Sequence, residues 1–158
     1  MATITNTKLY SLTLPGGGAP YGNVTALAYP VRTNDKGKWL DGDSSDPAAS
    51  GDALRLGVIP AGFRPYDAVI AVNKAISGLA GKIGFAYADG VDDPDVPQDD
   101  DAFFAAGDFG TVGIVRKDGE SGIPHLPKDA FLELTTTGAP SAAGEAYVVI
   151  IGIAEGQP

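Results

Sequence analysis

The chain has 158 residues, a formal net charge of -9 and no cysteine, with Gly 22 and Pro 12 in a sequence that is 44% hydrophobic. Such a length fits one domain that buries about two thirds of the surface its unfolded chain exposes. Without cysteine, thiolate catalysis, disulfides and Cys-ligated zinc are excluded, and the acidic balance argues against a double-stranded nucleic-acid partner, which requires a basic face.

The N-terminal MATITNTKLYSL lacks the basic region, apolar run and cleavage site of a secretory signal, so none is expected there. The longest apolar run, Ala146–Ala154, is shorter than the ~20 residues of a membrane helix, which leaves no membrane partner to expect and suggests a soluble protein made in a cytoplasm. Abundant Gly and Pro point to short strands and tight turns.

In chain order, Lys8–Leu14 alternates, with Tyr10, Leu12 and Leu14 on one face, and reads as a first strand or as an arm that docks on a neighbour. Pro15–Asn23 is a Gly-rich breaker containing Tyr21, so residues 1–22 form an arm and hinge ahead of a β domain over 23–158. Asn23–Thr33 resumes as a strand with Val24, Ala26 and Ala28 inward, and Pro30 confines it to an edge or a bulge. Asn34–Asp52 is a long polar loop whose large apolar members are Trp39 and Leu40.

Leu54–Asp89 carries three strands. Leu54, Leu56 and Val58 alternate with Arg55 and Gly57; Tyr66–Val72 is nearly all apolar, as in a strand covered on both faces; Ile83, Phe85 and Tyr87 alternate again. Gly90–Ala102 is an acidic loop, and Asp101–Ala106 is one of the few places where a helix could sit. Gly110–Arg116, Ala130–Thr137 and Glu145–Glu155 complete the set. On the last, Tyr147, Val149, Ile151 and Ile153 share one face and Val148 and Ile150 the other, which places it centrally in its sheet. About eight strands at this spacing predict an all-β, antiparallel β-sandwich of jelly-roll type with long loops and an N-terminal arm.

Candidate chemistry is sparse. Asp89–Asp101 holds seven Asp in thirteen residues, and Asp89, Asp92, Asp93 and Asp95 are its calcium candidates. The spacing misses the helix-loop-helix calcium pattern, so a solvated, self-repelling loop is the plainer reading. Asp41–Asp46 opens like a calcium loop but has Asp46 where the turn needs Gly. His125 is the only imidazole, bracketed by prolines, and Ser121 lacks the strained elbow of a hydrolase nucleophile. Asp108-Phe109-Gly110 matches a kinase tripeptide without the loops that give it a role, and reads as a turn. Pro15–Gly18 lacks the Lys-Ser/Thr and helix of a phosphate loop. Glu133, between Leu132 and Leu134, alternates outward. Trp39 has two readings: a cover folded over the core, or an aromatic anchor in a subunit contact; Tyr21 raises the same question.

The succession of an alternating strand, the Ile59-Pro60-Ala61-Gly62 turn, the apolar strand Ala68–Val72, a Gly-rich turn and Lys82–Tyr87 ending in Ala88-Asp89-Gly90 resembles small virion proteins of tailed bacteriophages. In particular it is similar to the capsid cement, or decoration, proteins that coat the head; the likeness covers residues 53–90 well and the remainder in style. It implies an accessory protein that binds the outer surface of an assembled shell as a homodimer or homotrimer and staples adjacent major capsid subunits. It implies no catalytic residue and no cofactor. Interface candidates are then Tyr10, Leu12, Leu14, Tyr21, Trp39 and Leu40, on the segments Met1–Asn23 and Asn34–Asp52. Two rivals stand beside it: a carbohydrate- or calcium-binding sandwich of a head fibre or tail, suggested by the Asp loops with Trp39, Tyr66 and Tyr87, and a trimeric β-fold nucleotide hydrolase, for which no nucleophile-base pair is visible.

Overall fold

The computed structural model describes residues 1–7, 24–117 and 125–155, and every regular element among them is a strand. In chain order these are β1 (Thr3–Thr5), β2 (Val24–Thr33), β3 (Ala53–Ile59), β4 (Phe63–Lys74), β5 (Ala80–Tyr87), β6 (Asp99–Asp108), β7 (Gly113–Arg116), β8 (Ala130–Gly138) and β9 (Gly144–Ala154). One sheet has the order β2-β9-β4-β7 and the other β1-β3-β8-β5-β6.

The pairings nest: β2 with β9, β3 with β8, β4 with β7 and β5 with β6, all antiparallel. A long antiparallel ribbon rolled up so that its segments fall into two facing sheets produces this nesting, and it defines a jelly roll. Seven of the expected strands are β2–β5 and β7–β9, while β6 forms where a loop or a short helix was expected. The ninth, β1, adds to the edge of β3 in parallel, through Thr3↔Ala53, Ile4↔Leu54 and Thr5↔Arg55, so that sheet is mixed rather than wholly antiparallel. The strand expected over Lys8–Leu14 lies outside the described residues.

The core lies between the sheets. Leu54 and Leu56 of β3, Ile83, Phe85 and Tyr87 of β5, and Leu132 and Leu134 of β8 meet Leu27, Tyr29 and Val31 of β2 and Ala68, Ile70, Val148 and Ile150 of β4 and β9. Burying each Leu, Ile, Val or Phe side chain stabilises the fold by about 1.5–3 kcal/mol relative to exposure. Tyr29 is buried with its hydroxyl donating to the Val58 carbonyl at 2.8 Å, and burial raises its pKa above the ordinary phenol value.

Four expectations need correction. In β2 the inward row is Leu27, Tyr29, Val31 and Thr33, while Val24, Ala26 and Ala28 face out. Both rows are apolar, and the one with more area to remove from water takes the core. In β3 the alternation breaks at a β-bulge between Arg55 and Gly57, which turns Val58 onto the outer face against Phe131 while Ile59 joins the main core. β4 is not covered on both faces: Ala68, Ile70 and Val72 are buried, but Val69 and Ala71 are only half-buried on its outer side. Asp101–Ala106 lies in β6 rather than a helix, so the acidic loop ends at Gln98. By contrast β2 is an edge strand, one of the two settings expected for Pro30, and β9 is central.

Candidate functional site

The loop between β2 and β3 is tied to the body of the sandwich. Asn34 accepts the Lys36 and Lys38 N–H groups on its side-chain oxygen, each at 2.9 Å, which closes a turn. Gly37 occupies that turn at φ 78, a conformation glycine adopts without strain. Trp39 then bridges back to Thr33, and Gly42 to Asn6. The Trp39 indole is 2% exposed and belongs to the core, whereas Leu40 beside it is 55% exposed. Of the two readings of Trp39, the isolated chain therefore takes the cover over the core: its one indole is unavailable at the surface, and Leu40 is the loop's outward apolar group. Tyr10, Leu12, Leu14 and Tyr21 lie outside the described residues.

The acidic loop is organised by its own backbone. Asp89 accepts the Val91 N–H at 2.9 Å and the Lys128 ammonium at 3.0 Å, and these two, in that order, hold its carboxyl below the usual carboxylate range. Asp92 accepts the Asp93 and Gln98 N–H groups at 2.9 and 2.7 Å; Asp93 accepts those of Asp95 and Val96 at 3.0 and 3.1 Å. Asp89 thus has both carboxylate oxygens engaged, while Asp92 and Asp93 each commit one oxygen to capping their own turns. Asp95 is exposed.

Beyond this loop Asp99, Asp100 and Asp101 come together, with carboxylate oxygens within 4.8 Å of one another. Their position follows from irregular pairing: Ile83 opposes Phe104 but Phe85 opposes Asp99, so β6 bulges outward between them. Gly84 makes room for the bulge, since a Cβ there would sit 1.9 Å from the Asp99 carbonyl oxygen. The charge is met from β5, where Lys82 lies 3.1 Å from Asp100 and 3.4 Å from Asp101. Asp101 is held below the usual range by its hydrogen bond to Asp99 and by Lys82. The Asp101 N–H lowers Asp99, yet burial and the two neighbouring carboxylates outweigh it and raise its pKa. The cluster is thus an ion-paired edge of the sheet, with Lys82 where a cation would sit.

His125 is half-buried, and Ser121 lies outside the described residues. Phe109 is fully buried, and Asp108 accepts the Gly110 N–H at 2.8 Å, so that tripeptide is a turn. Glu133 pairs at 2.9 Å with Arg55, whose guanidinium stacks 4.6 Å from the Phe131 ring centre on the outer side of the five-stranded sheet. Among the aromatics that suggested a sugar-binding face, Trp39 and Tyr87 are buried and Tyr66 is 54% exposed.

What the sequence did not single out is the outer face of the four-stranded sheet. Across it the register aligns Pro30, Tyr147, Ala71 and Ile114 in one row, Ala28, Val149, Val69 and Arg116 in the next, then Ala26, Ile151 and Asp67, then Val24, Ile153 and Arg64. Val24 and Ile114 are 72% and 77% exposed. Charges stand at the margins: Arg116 pairs with Asp67 at 3.0 Å, Arg64 with Glu155 at 2.9 Å, Arg32 with Asp41, and the Tyr147 hydroxyl donates to Glu145 at 3.0 Å. The two apolar rows of β9 were the available signal. They mark β9 as central in its sheet, and one of its faces is core while the other is a half-exposed apolar surface.

The architecture defines a jelly-roll sandwich, a fold that viral capsid and lectin domains share. No protein-family model matches the chain, and no curated protein matches it. Among solved structures it is similar to a chain from the capsid of Ralstonia phage GP4, with a TM-score of 0.67 and 18% identity over 99% of this chain and 100% of that one. It is also similar to a chain of the capsid asymmetric unit of cyanophage Pam1, with a TM-score of 0.55 and 13% identity over 92% of each. At these identities the likeness is one of fold.

Proposed function

We propose that this chain is a non-enzymatic virion structural protein, a cement or decoration protein that binds the outer surface of a phage capsid and staples neighbouring major capsid subunits. One observation carries the reading: the sandwich aligns end to end, over 99% of its length, with a chain from a phage capsid. Its partners are then the major capsid protein and further copies of itself, as a homodimer or homotrimer, and its place is the virion exterior after synthesis in the host cytoplasm.

Charge supports the outer location. Arg32, Arg55, Arg64, Lys82, Arg116 and Lys128 each pair with a carboxylate of the chain itself, so these six of the eleven basic side chains are neutralised internally rather than gathered into a face for genome phosphates. Individually weak contacts suffice for a staple, because the first contact raises the effective concentration for the second.

The test is reconstitution. Added to expanded heads that lack it, the full chain should co-sediment with them and raise the temperature at which they release DNA. Heads that neither retain the chain nor gain heat resistance would refute the proposal.

A further inference from the structure

The outer face of the four-stranded sheet has relief as well as apolarity. Tyr147, Val149, Ile151 and Ile153 form a ridge along central β9, and beside it Ala28 and Ala26, opposite Val149 and Ile151, leave a trough along β2. At its margins stand four cations, Arg32, Arg64, Lys74 and Arg116, and four carboxylates, Asp41, Asp67, Glu145 and Glu155. These cancel, so the face contributes nothing to the net charge of -9.

We infer that a second copy of this chain docks on this face about a two-fold axis, the β9 ridge of each copy lying in the alanine trough of the other. The inference rests on the cement reading only for its biological setting. Two chains of charge -9 repel over most of their surfaces, and this neutral face is where copies can approach. A two-fold axis makes the contact self-complementary: ridge meets trough in both directions, and a margin whose cations and carboxylates pair within each copy presents no net charge to the other. Stacked sheets pack about 10 Å apart, which leaves room for side chains of this size. At ~4.8 Å between strands and ~3.3 Å per residue the face measures roughly 500 Å². Two copies would bury about 1,000 Å² in total, the lower end of specific interfaces, so the association is reversible.

Sedimentation equilibrium of the full chain, from micromolar to near-millimolar protein, tests this. A reversible monomer–dimer equilibrium is expected. Ala26→Glu fills the trough from an edge strand, and Ile151→Lys puts a charge on the ridge; each should weaken the dimer at least ~100-fold, because an unpaired charge at the contact costs several kcal/mol. Val91→Glu, exposed in the loop between β5 and β6 of the other sheet, should leave it unchanged, and unchanged thermal unfolding of the Ala26→Glu chain separates lost docking from lost folding. A chain that stays monomeric, a trimer, or a dimer indifferent to both substitutions overturns the inference. So does a monomer whose binding to heads is lost on Ala26→Glu, which would assign the face to a capsid subunit. A dimer sensitive to these substitutions in a chain that binds no heads keeps the inference and removes the cement reading.

Discussion

Asp52 accepts the backbone N–H of Ala2 at 2.8 Å, a contact between residues 50 apart that fastens the N-terminal strand to the sandwich. The same carboxylate accepts the Ala49 N–H at 2.9 Å, and Ile4 beyond it is buried in the core. Asp52→Ala should destabilise the protein by about 1–3 kcal/mol, because two N–H groups lose a charged acceptor. Hydrogen exchange should show residues 3–5 opening before the rest.

The same contact gives a pH dependence. The Ala2 and Ala49 N–H groups hold the folded Asp52 carboxyl below the usual range, while the unfolded carboxyl titrates near 3.9. A depressed folded pKa means the stabilisation is complete above the unfolded value and is lost as pH falls through the folded one. Stability measured from pH 6 down to pH 2 should therefore decline less steeply in Asp52→Ala than in the parent. Identical slopes would remove Asp52 from the account.

Trp39 is the single tryptophan and is buried, with its indole N–H unpartnered among the described residues. Trp39→Ala should cost about 3–5 kcal/mol through the cavity it leaves. Trp39→Phe forfeits no hydrogen bond and should cost less than half as much. Urea unfolding of both variants checks this, and equal losses would mean that the indole nitrogen does have a partner.

Gly84 lies beneath the β6 bulge, with space for a hydrogen but not a methyl group. Gly84→Ala should cost about 1–3 kcal/mol by overpacking, and protection from hydrogen exchange should fall first across Asp99–Phe104. A variant as stable as the parent would show that β6 does not lie so close.

Calcium should leave the protein unaltered. Asp89, Asp92 and Asp93 cap backbone N–H groups, and Lys82 sits against Asp100 and Asp101. Thermal unfolding with millimolar calcium and with chelator should coincide. A higher melting temperature with calcium would contradict this arrangement of the acidic residues.

Much of the jelly roll was legible in the chain. Pro30 narrowed its strand to an edge or a bulge, and it is an edge; the double apolar row of β9 announced a central strand, and alternation at Leu54 and Leu56 and from Ile83 to Tyr87 marked core faces. Bulges erased the rest. A period-2 pattern carries no trace of an extra residue, so Val58 was placed with Leu56 although one bulge separates their faces. Phe103 and Phe104 are both buried because the pairing of β6 is irregular, and neighbouring buried residues match neither strand nor helix period. The apolar outer sheet face was hidden for a related reason: half-exposed Val149 and Ile151 look the same in sequence as buried ones.

The most direct measurement of the proposed virion role is the labelling, with an antibody against this chain, of intact particles made from the genome that carries its gene, alongside quantitation of the chain in those particles. The account predicts label over the heads of unbroken particles and many copies per virion. Absence from purified particles, or label that emerges only after the heads are disrupted, would contradict it.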